Sequence, residues 1–330
     1  MLLARINSFA CWCCLALLGS LGCGGDFPQQ RSTETDIDLS AQSIVSGQSF
    51  AEARSGFRTR IVRQIRADYP TPPPPPELFE LVKYNSPAGA LDAYVSPDPG
   101  DGAKHPAIVW IFGGFDNSIN ETAWEDAPPE NDQSARAFRE AGLIMLYPSF
   151  RGGNQNPGTI ESFSGEVDDV LAAAEYLSRL NYVDPNRIYL GGHSTGGTLA
   201  LLVAASSDRF RTVFSFGPVG NIVGYGVEEY GFDINSRPEF ELRDPIWWLN
   251  SIETPTLVIE GEDGNVDSLR EMAHSTQNPK LQFFPVKGVD HFSILSPVTR
   301  LLAEKVIQDT GTVPGIVVTE QELNAAVRQP

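Results

Sequence analysis

The stretch Gly191-Gly192-His193-Ser194-Thr195-Gly196-Gly197 constrains the fold of this chain more than any other. It lies between two apolar runs, Ile188-Tyr189-Leu190 ahead and Leu199-Ala200-Leu201-Leu202-Val203-Ala204-Ala205 behind. The first is the length of a buried strand and the second that of a helix, so the glycines between them must make a sharp strand-to-helix turn. Side chains would clash where a strand reverses into a helix. The pattern G-x-S-x-G therefore leaves Ser194 alone at the apex, on a strained corner with its hydroxyl exposed. Ser194 is the candidate nucleophile.

The rest of the chain supplies the frame for such a turn. Residues 78–84 and 91–95 read as strands joined by a turn at Pro87-Ala88-Gly89. Residues 107–112 are an almost unbroken apolar run, as expected of a strand buried on both faces. Further strands are predicted at 143–147, 187–190, 211–216, 256–260 and 281–286. Helices are predicted at 134–141, 164–180, 198–205, 266–274 and 296–307, the last capped by Ser296 with Pro297 at its first position. The tail from Asp309 has weak helical character. Strands that alternate with helices require an α/β fold with a mostly parallel central sheet and helices on both faces. Residues 217–250 interrupt the alternation. Their Tyr225, Tyr230, Phe232, Trp247 and Trp248 are expected to form part of a small cap insertion and an aromatic pocket, or else ordinary core.

Charge and the N-terminus bound the function. The net charge of -18 would repel phosphate backbones, which argues against nucleic-acid partners. Arg5 is the only charge ahead of an apolar stretch from Phe9 to Leu18, too short to span a bilayer, so residues 1–23 read as an export signal. All four cysteines (Cys11, Cys13, Cys14, Cys23) fall in or at the edge of that segment, which leaves no disulfide or cysteine metal site in the body. Leu21-Gly22-Cys23-Gly24 resembles a bacterial lipoprotein cleavage site. Cys23 is then the lipid-bearing residue of an exported chain, either anchored to a bacterial membrane or periplasmic or secreted. Residues 24–76 are expected to hold a polar tether, a basic amphipathic helix over 48–67 and a stiff spacer from Pro70 to Pro76. The arginines of that helix are expected to face the acidic body of the same chain in preference to anionic lipid. The catalytic domain is expected over 77–310 and a tail over 311–330. No zinc spacing and no phosphate-cradling loop is present, so no cofactor or metal is implied.

The segments Pro106 to Phe115, Tyr147 to Gly153, Glu166 to Gly197, Pro255 to Val266 and Gly288 to Phe292 together resemble the α/β-hydrolase fold. More narrowly, they resemble the catalytic domain of the prolyl oligopeptidase and dienelactone hydrolase branch, over about 230 residues from Glu77 to roughly Gln308. The resemblance implies a nucleophile at Ser194 and a base at His291, the one of four histidines (His105, His193, His274, His291) that follows the last strand. Asp263 is the implied acid, with Asp267 and Glu262 as alternatives. Relatives carry the aspartate one residue later, where Gly264 stands here. The oxyanion would be held by the N–H groups of Thr195 and of Gly114 or, failing that, Phe115. Phe112 stands where relatives usually have histidine. Arg151 is implied to be structural, and Asp168 and Asp169 to sit at a helix start with a partner in the core. The expectation is an exported serine hydrolase that cleaves a small carboxylic ester through an acyl-enzyme on Ser194. Two alternatives stand beside it. One is a serine exopeptidase acting on short peptides, without the β-propeller that about 53 residues between the proposed cleavage and Glu77 could not build. The other is a non-catalytic binding module on the same scaffold.

Overall fold

A computed structural model describes residue 45 and residues 47–328; the export signal, Cys23 and most of the tether lie outside the described residues. In chain order the elements are α1 (Phe50–Ser55), β1 (Glu80–Ser86), β2 (Gly89–Val95), β3 (His105–Ile111), α2 (Ala137–Glu140), β4 (Ile144–Pro148), α3 (Glu166–Ser178) and β5 (Val183–His193). They continue with α4 (Thr195–Ser206), β6 (Val213–Phe216), α5 (Arg237–Glu241), β7 (Thr256–Gly261), α6 (Val266–Ser275), β8 (Leu281–Val286), α7 (Leu295–Gln308) and α8 (Glu320–Ala326). The strands form one sheet in the order β1-β2-β4-β3-β5-β6-β7-β8. The pairs β1/β2 and β2/β4 are antiparallel, and every pair from β4/β3 to β7/β8 is parallel. The mostly parallel α/β sheet expected from the alternation is the one observed.

The sheet is buried on both faces, which is why its central strands are apolar throughout rather than alternating. In β3, Ala107, Val109 and Ile111 join the core under α3 and α4, whereas Ile108 and Trp110 join the core under α2 and α7. One step along a strand moves a side chain to the opposite face. The helix α4 is apolar nearly all round because it lies wholly inside: every residue from Thr195 to Ala205 is buried.

Two local expectations fail. Residues 48–67 do not form one helix. A capping box between Ser49 and Glu52 starts α1, which ends at Gly56, and the chain beyond is extended. Tertiary bonds outcompete the helical periodicity there: the Arg60 N–H donates to Glu239 Oε1, and Ile61 bridges Phe232 antiparallel. The arginines do meet the acidic body, in Arg54–Asp168 and Arg60–Asp233. Likewise Ser296 does not cap the helix that follows β8. The α7 helix begins at Leu295, so Ser296 and Pro297 lie inside its first turn, where a missing N–H costs nothing.

Candidate active site

The β5–α4 corner is built as the glycines require. Ser194 sits between strand and helix at φ +57° and ψ -119°, a conformation that non-glycine residues rarely adopt. Its N–H donates to the Phe216 carbonyl at the end of β6, and its carbonyl accepts the Thr198 N–H of α4. Gly196 has no room for a side chain: a Cβ there would lie 2.4 Å from the Ile111 carbonyl oxygen. The corner is thus clamped between the ends of β3 and β6, which holds the strained serine in place.

The residue after Phe216 links this corner to the base. At Gly217 (φ +58°) a Cβ would come within 2.3 Å of His291 Cε1 and 2.7 Å of Glu260 Oε2. His291 follows β8 in a turn tied by Asp290, whose Oδ1 accepts the N–H groups of Phe292 and Ser293. These bonds, led by that of Ser293, hold the Asp290 carboxyl below its ordinary range. His291 Nδ1 lies 2.8 Å from Glu260 Oε2, a carboxylate fully buried at the end of β7. The other oxygen, Oε1, accepts the Gly261 N–H at 2.7 Å.

Glu260 thus stands where the sequence pointed to Asp263. The tight turn Gly261–Gly264, closed by the Gly264 N–H on the Gly261 carbonyl, carries Asp263 outward to an exposed position. Asp267 is 97% exposed and pairs with Arg270 at 3.2 Å, and Glu262 faces the same arginine at 3.7 Å. None of the three meets His291. Gly264 explains the exchange: a Cβ there would lie 2.6 Å from Glu260 Oε1. Position 264, where the resemblance implies an aspartate, has no side chain here, and the longer glutamate of β7 fills the space. The sequence did carry a signal, a carboxylate ending the run Leu257-Val258-Ile259 in a strand with no solvent face.

His193, beside the nucleophile, is buried, and burial followed by the neighbouring His291 pushes it down to about 3. It is neutral, and its Nε2–H donates to the His291 carbonyl at 3.0 Å. The two imidazole rings lie 4.4 Å apart. His193 therefore braces the loop that carries His291. His105 pairs with Asp101 on the far side of β3, and His274 lies in α6.

Gly113, Gly114, Phe115 and Thr195 line one pocket beside the serine. The Thr195 hydroxyl donates to the Gly114 carbonyl at 2.7 Å, which locks the two candidate oxyanion segments together. Phe112 stacks on Tyr147 at 5.0 Å and 8° and borders the same pocket. Of the aromatic residues in 217–250, Tyr225 alone reaches the serine corner. Its hydroxyl meets Thr198 Oγ1 at 2.8 Å. Burial pushes its phenol well up, and bonds to Thr198 and Ser194 offset only part of this. Tyr230, Phe232 and Trp248 are core, and Trp247 is half exposed. Arg151 is structural as expected, bound through Nε and Nη2 to the buried Asp169 and through Nη1 to Glu161.

Residues 129–277 match the prolyl oligopeptidase family, Peptidase_S9. That segment, a little under half of the chain, is similar to the family, and the sheet around it has the α/β-hydrolase fold. It is 31% identical over 157 residues to prolyl oligopeptidase A of Amanita bisporigera, covering 46% of this chain and 18% of that protein. It is 29% identical over 143 residues to the uncharacterized peptidase YtmA of Bacillus subtilis, covering 39% of this chain and 55% of that one. The chain thus spans well under two thirds of these curated relatives. Among solved structures, an esterase from Pyrobaculum calidifontis superposes with a TM-score of 0.53 at 20% identity, over 71% of this chain and 86% of that chain. A puromycin-hydrolyzing peptidase of Mycobacterium tuberculosis gives 0.56 at 18% identity, over 72% and 40%. Both share the fold found here.

Proposed function

We propose that this prolyl oligopeptidase-family hydrolase is an exported serine esterase that works through Ser194, His291 and Glu260. The observation that carries the reading is the buried Glu260 carboxylate 2.8 Å from His291 Nδ1, beside a serine held at positive φ. A serine hydroxyl needs an adjacent base to attack a carbonyl. Glu260 accepts a hydrogen bond from the His291 Nδ1–H, which leaves Nε2 free to act and stabilises the imidazolium that forms. Ser194 Oγ bonds to the acyl carbon while its proton passes to His291. The N–H groups of Thr195 and Gly114 hold the developing oxyanion. The alcohol leaves with the proton from His291. Water, deprotonated by the same histidine, then releases the acid and regenerates the serine. Export rests on the segment around Arg5 and the apolar run to Leu18, with Cys23 as the lipid attachment point.

Support for an ester substrate comes from the fold shared with the Pyrobaculum esterase, which takes in 86% of that chain. The peptidase reading is favoured by the names of the curated relatives. Turnover of short acyl esters against aminoacyl and prolyl amides separates the two. The ester reading predicts higher kcat/KM on the esters. Amide turnover exceeding ester turnover overturns it in favour of a peptidase.

A further inference from the structure

Under the loop that carries the candidate oxyanion donors lies a carboxylate that the reaction does not use. Glu166, first residue of α3, is 1% exposed and lines the pocket together with Gly114, Phe115, Thr195 and Leu199. Its Oε1 accepts three N–H donors, Asn117 Nδ2 at 2.9 Å, the Glu161 amide at 2.7 Å and the Ser162 amide at 3.2 Å. Its Oε2 is buried and has no hydrogen-bond partner among the described residues. The nearest guanidinium, that of Arg151, is occupied by Asp169 and Glu161. A buried carboxylate oxygen without a partner costs free energy that a donor from a bound molecule would recover. Away from bulk water, such a bond is also stronger.

The direction of the pocket identifies which part of a substrate arrives there. The leaving group must lie against His291, which protonates it. Neither His291, Glu260 nor Gly217 lines this pocket. The group that enters from the oxyanion site is therefore the acyl group. The pocket is lined by Ile111, Phe115, Phe150, Ile160, Phe163 and Leu199, with polar groups at Asp116, Asn117, Ser118 and Ser162. Of these Asp116 is exposed, so Glu166 is the buried carboxylate of the lining. An acyl chain with an apolar stem and one terminal donor fits that lining.

We propose that Glu166 is the specificity anchor of the acyl pocket and selects esters whose acyl chain carries a protonated amine. This rests on the serine hydrolase reading. Burial, ahead of other causes, raises the Glu166 carboxyl above its ordinary range, and an ammonium in the pocket is what favours its ionised form.

The test compares ethyl esters of alanine, 3-aminopropanoic acid and 6-aminohexanoic acid with their isosteres. These are ethyl 2-methylpropanoate, butanoate and heptanoate, in which methyl replaces ammonium. For at least one pair, wild type should favour the amine by about 10-fold or more in kcat/KM, mainly through KM. E166Q keeps an acceptor oxygen for the three loop N–H groups but puts a donor where Oε2 stands. It should lower that ratio by about 10-fold or more. Wild type without a preference in any pair overturns the proposal, as does a ratio unmoved by E166Q. Labelling by a fluorophosphonate, read by intact mass, separates the two levels. If wild type is labelled at Ser194 and shows no preference, the anchor fails and the hydrolase reading stands. If wild type is not labelled, both fail together.

Discussion

At the scale of the residue, the site turns on two positions without side chains. Gly264 leaves the space that the Glu260 carboxylate occupies, and Gly217 leaves the space that the His291 ring occupies. An alanine at 217 would need positive φ and a Cβ 2.3 Å from His291 Cε1. G217A should therefore displace the imidazole while the sheet around it persists. A misplacement of about 1 Å at reacting groups can cost on the order of 100-fold in rate. We expect G217A to lose about that much in kcat on ethyl butanoate, with far-ultraviolet circular dichroism unchanged. Full activity would show that Gly217 does not set the base. The same positions explain why His291 meets Glu260 and not Asp263, the carboxylate that the sequence implies. Ser194 and His291 were legible because each follows a strand in a motif with a fixed spacing. The acid was sought in the loop after Glu260 because loops at strand ends carry such groups. The carboxylate that meets His291 belongs to β7 itself, one residue before its end, and only knowing that β7 has no solvent face makes that glutamate conspicuous.

At the scale of the element, the strands were legible to within a few residues because burial on both faces writes a continuous apolar run. The N-terminal helix was overread because its spacing was genuine but its partners were distant: Arg60, Ile61 and Arg63 bond to residues 228–239. No local pattern contains that information. The segment 217–250 was illegible for the same reason. It is held by single buried groups such as Asp244, whose Oδ1 accepts the Ile222 N–H at 2.7 Å. Burial pushes the Asp244 carboxyl up to about 7, against the smaller opposing effect of that bond. The folded chain therefore keeps a proton that the unfolded chain releases near the ordinary aspartate value of about 4. Between these two values folding is progressively disfavoured as pH rises, and the full cost is present above about 7. D244N keeps the acceptor and removes the titration. Its melting temperature relative to wild type should rise by a few degrees on going from pH 5 to pH 8. A difference independent of pH would show that Asp244 does not titrate in this window.

At the scale of the whole molecule, the fold acts by bringing strand ends to one edge. The site draws on β3, β5, β6 and β7 and on the turn after β8, so residues more than 90 positions apart, His193 and His291, meet next to Ser194. This is the ordinary consequence of a parallel sheet, whose carboxyl ends all face the same way. Residues 50–66 are part of that body. Phe50 is fully buried against Trp248 at 5.2 Å, and Arg54 and Arg60 pair with the acidic surface. The central claim is that this convergence makes Ser194 reactive through His291 and Glu260. The rate of fluorophosphonate labelling of Ser194 tests it directly in wild type, E260Q and D263N. Wild type and D263N should label at the same rate. E260Q should be slower by on the order of 1,000-fold, because the amide leaves His291 in the wrong tautomer. Slow labelling of D263N with normal labelling of E260Q would contradict the account, as would labelling at any residue other than Ser194.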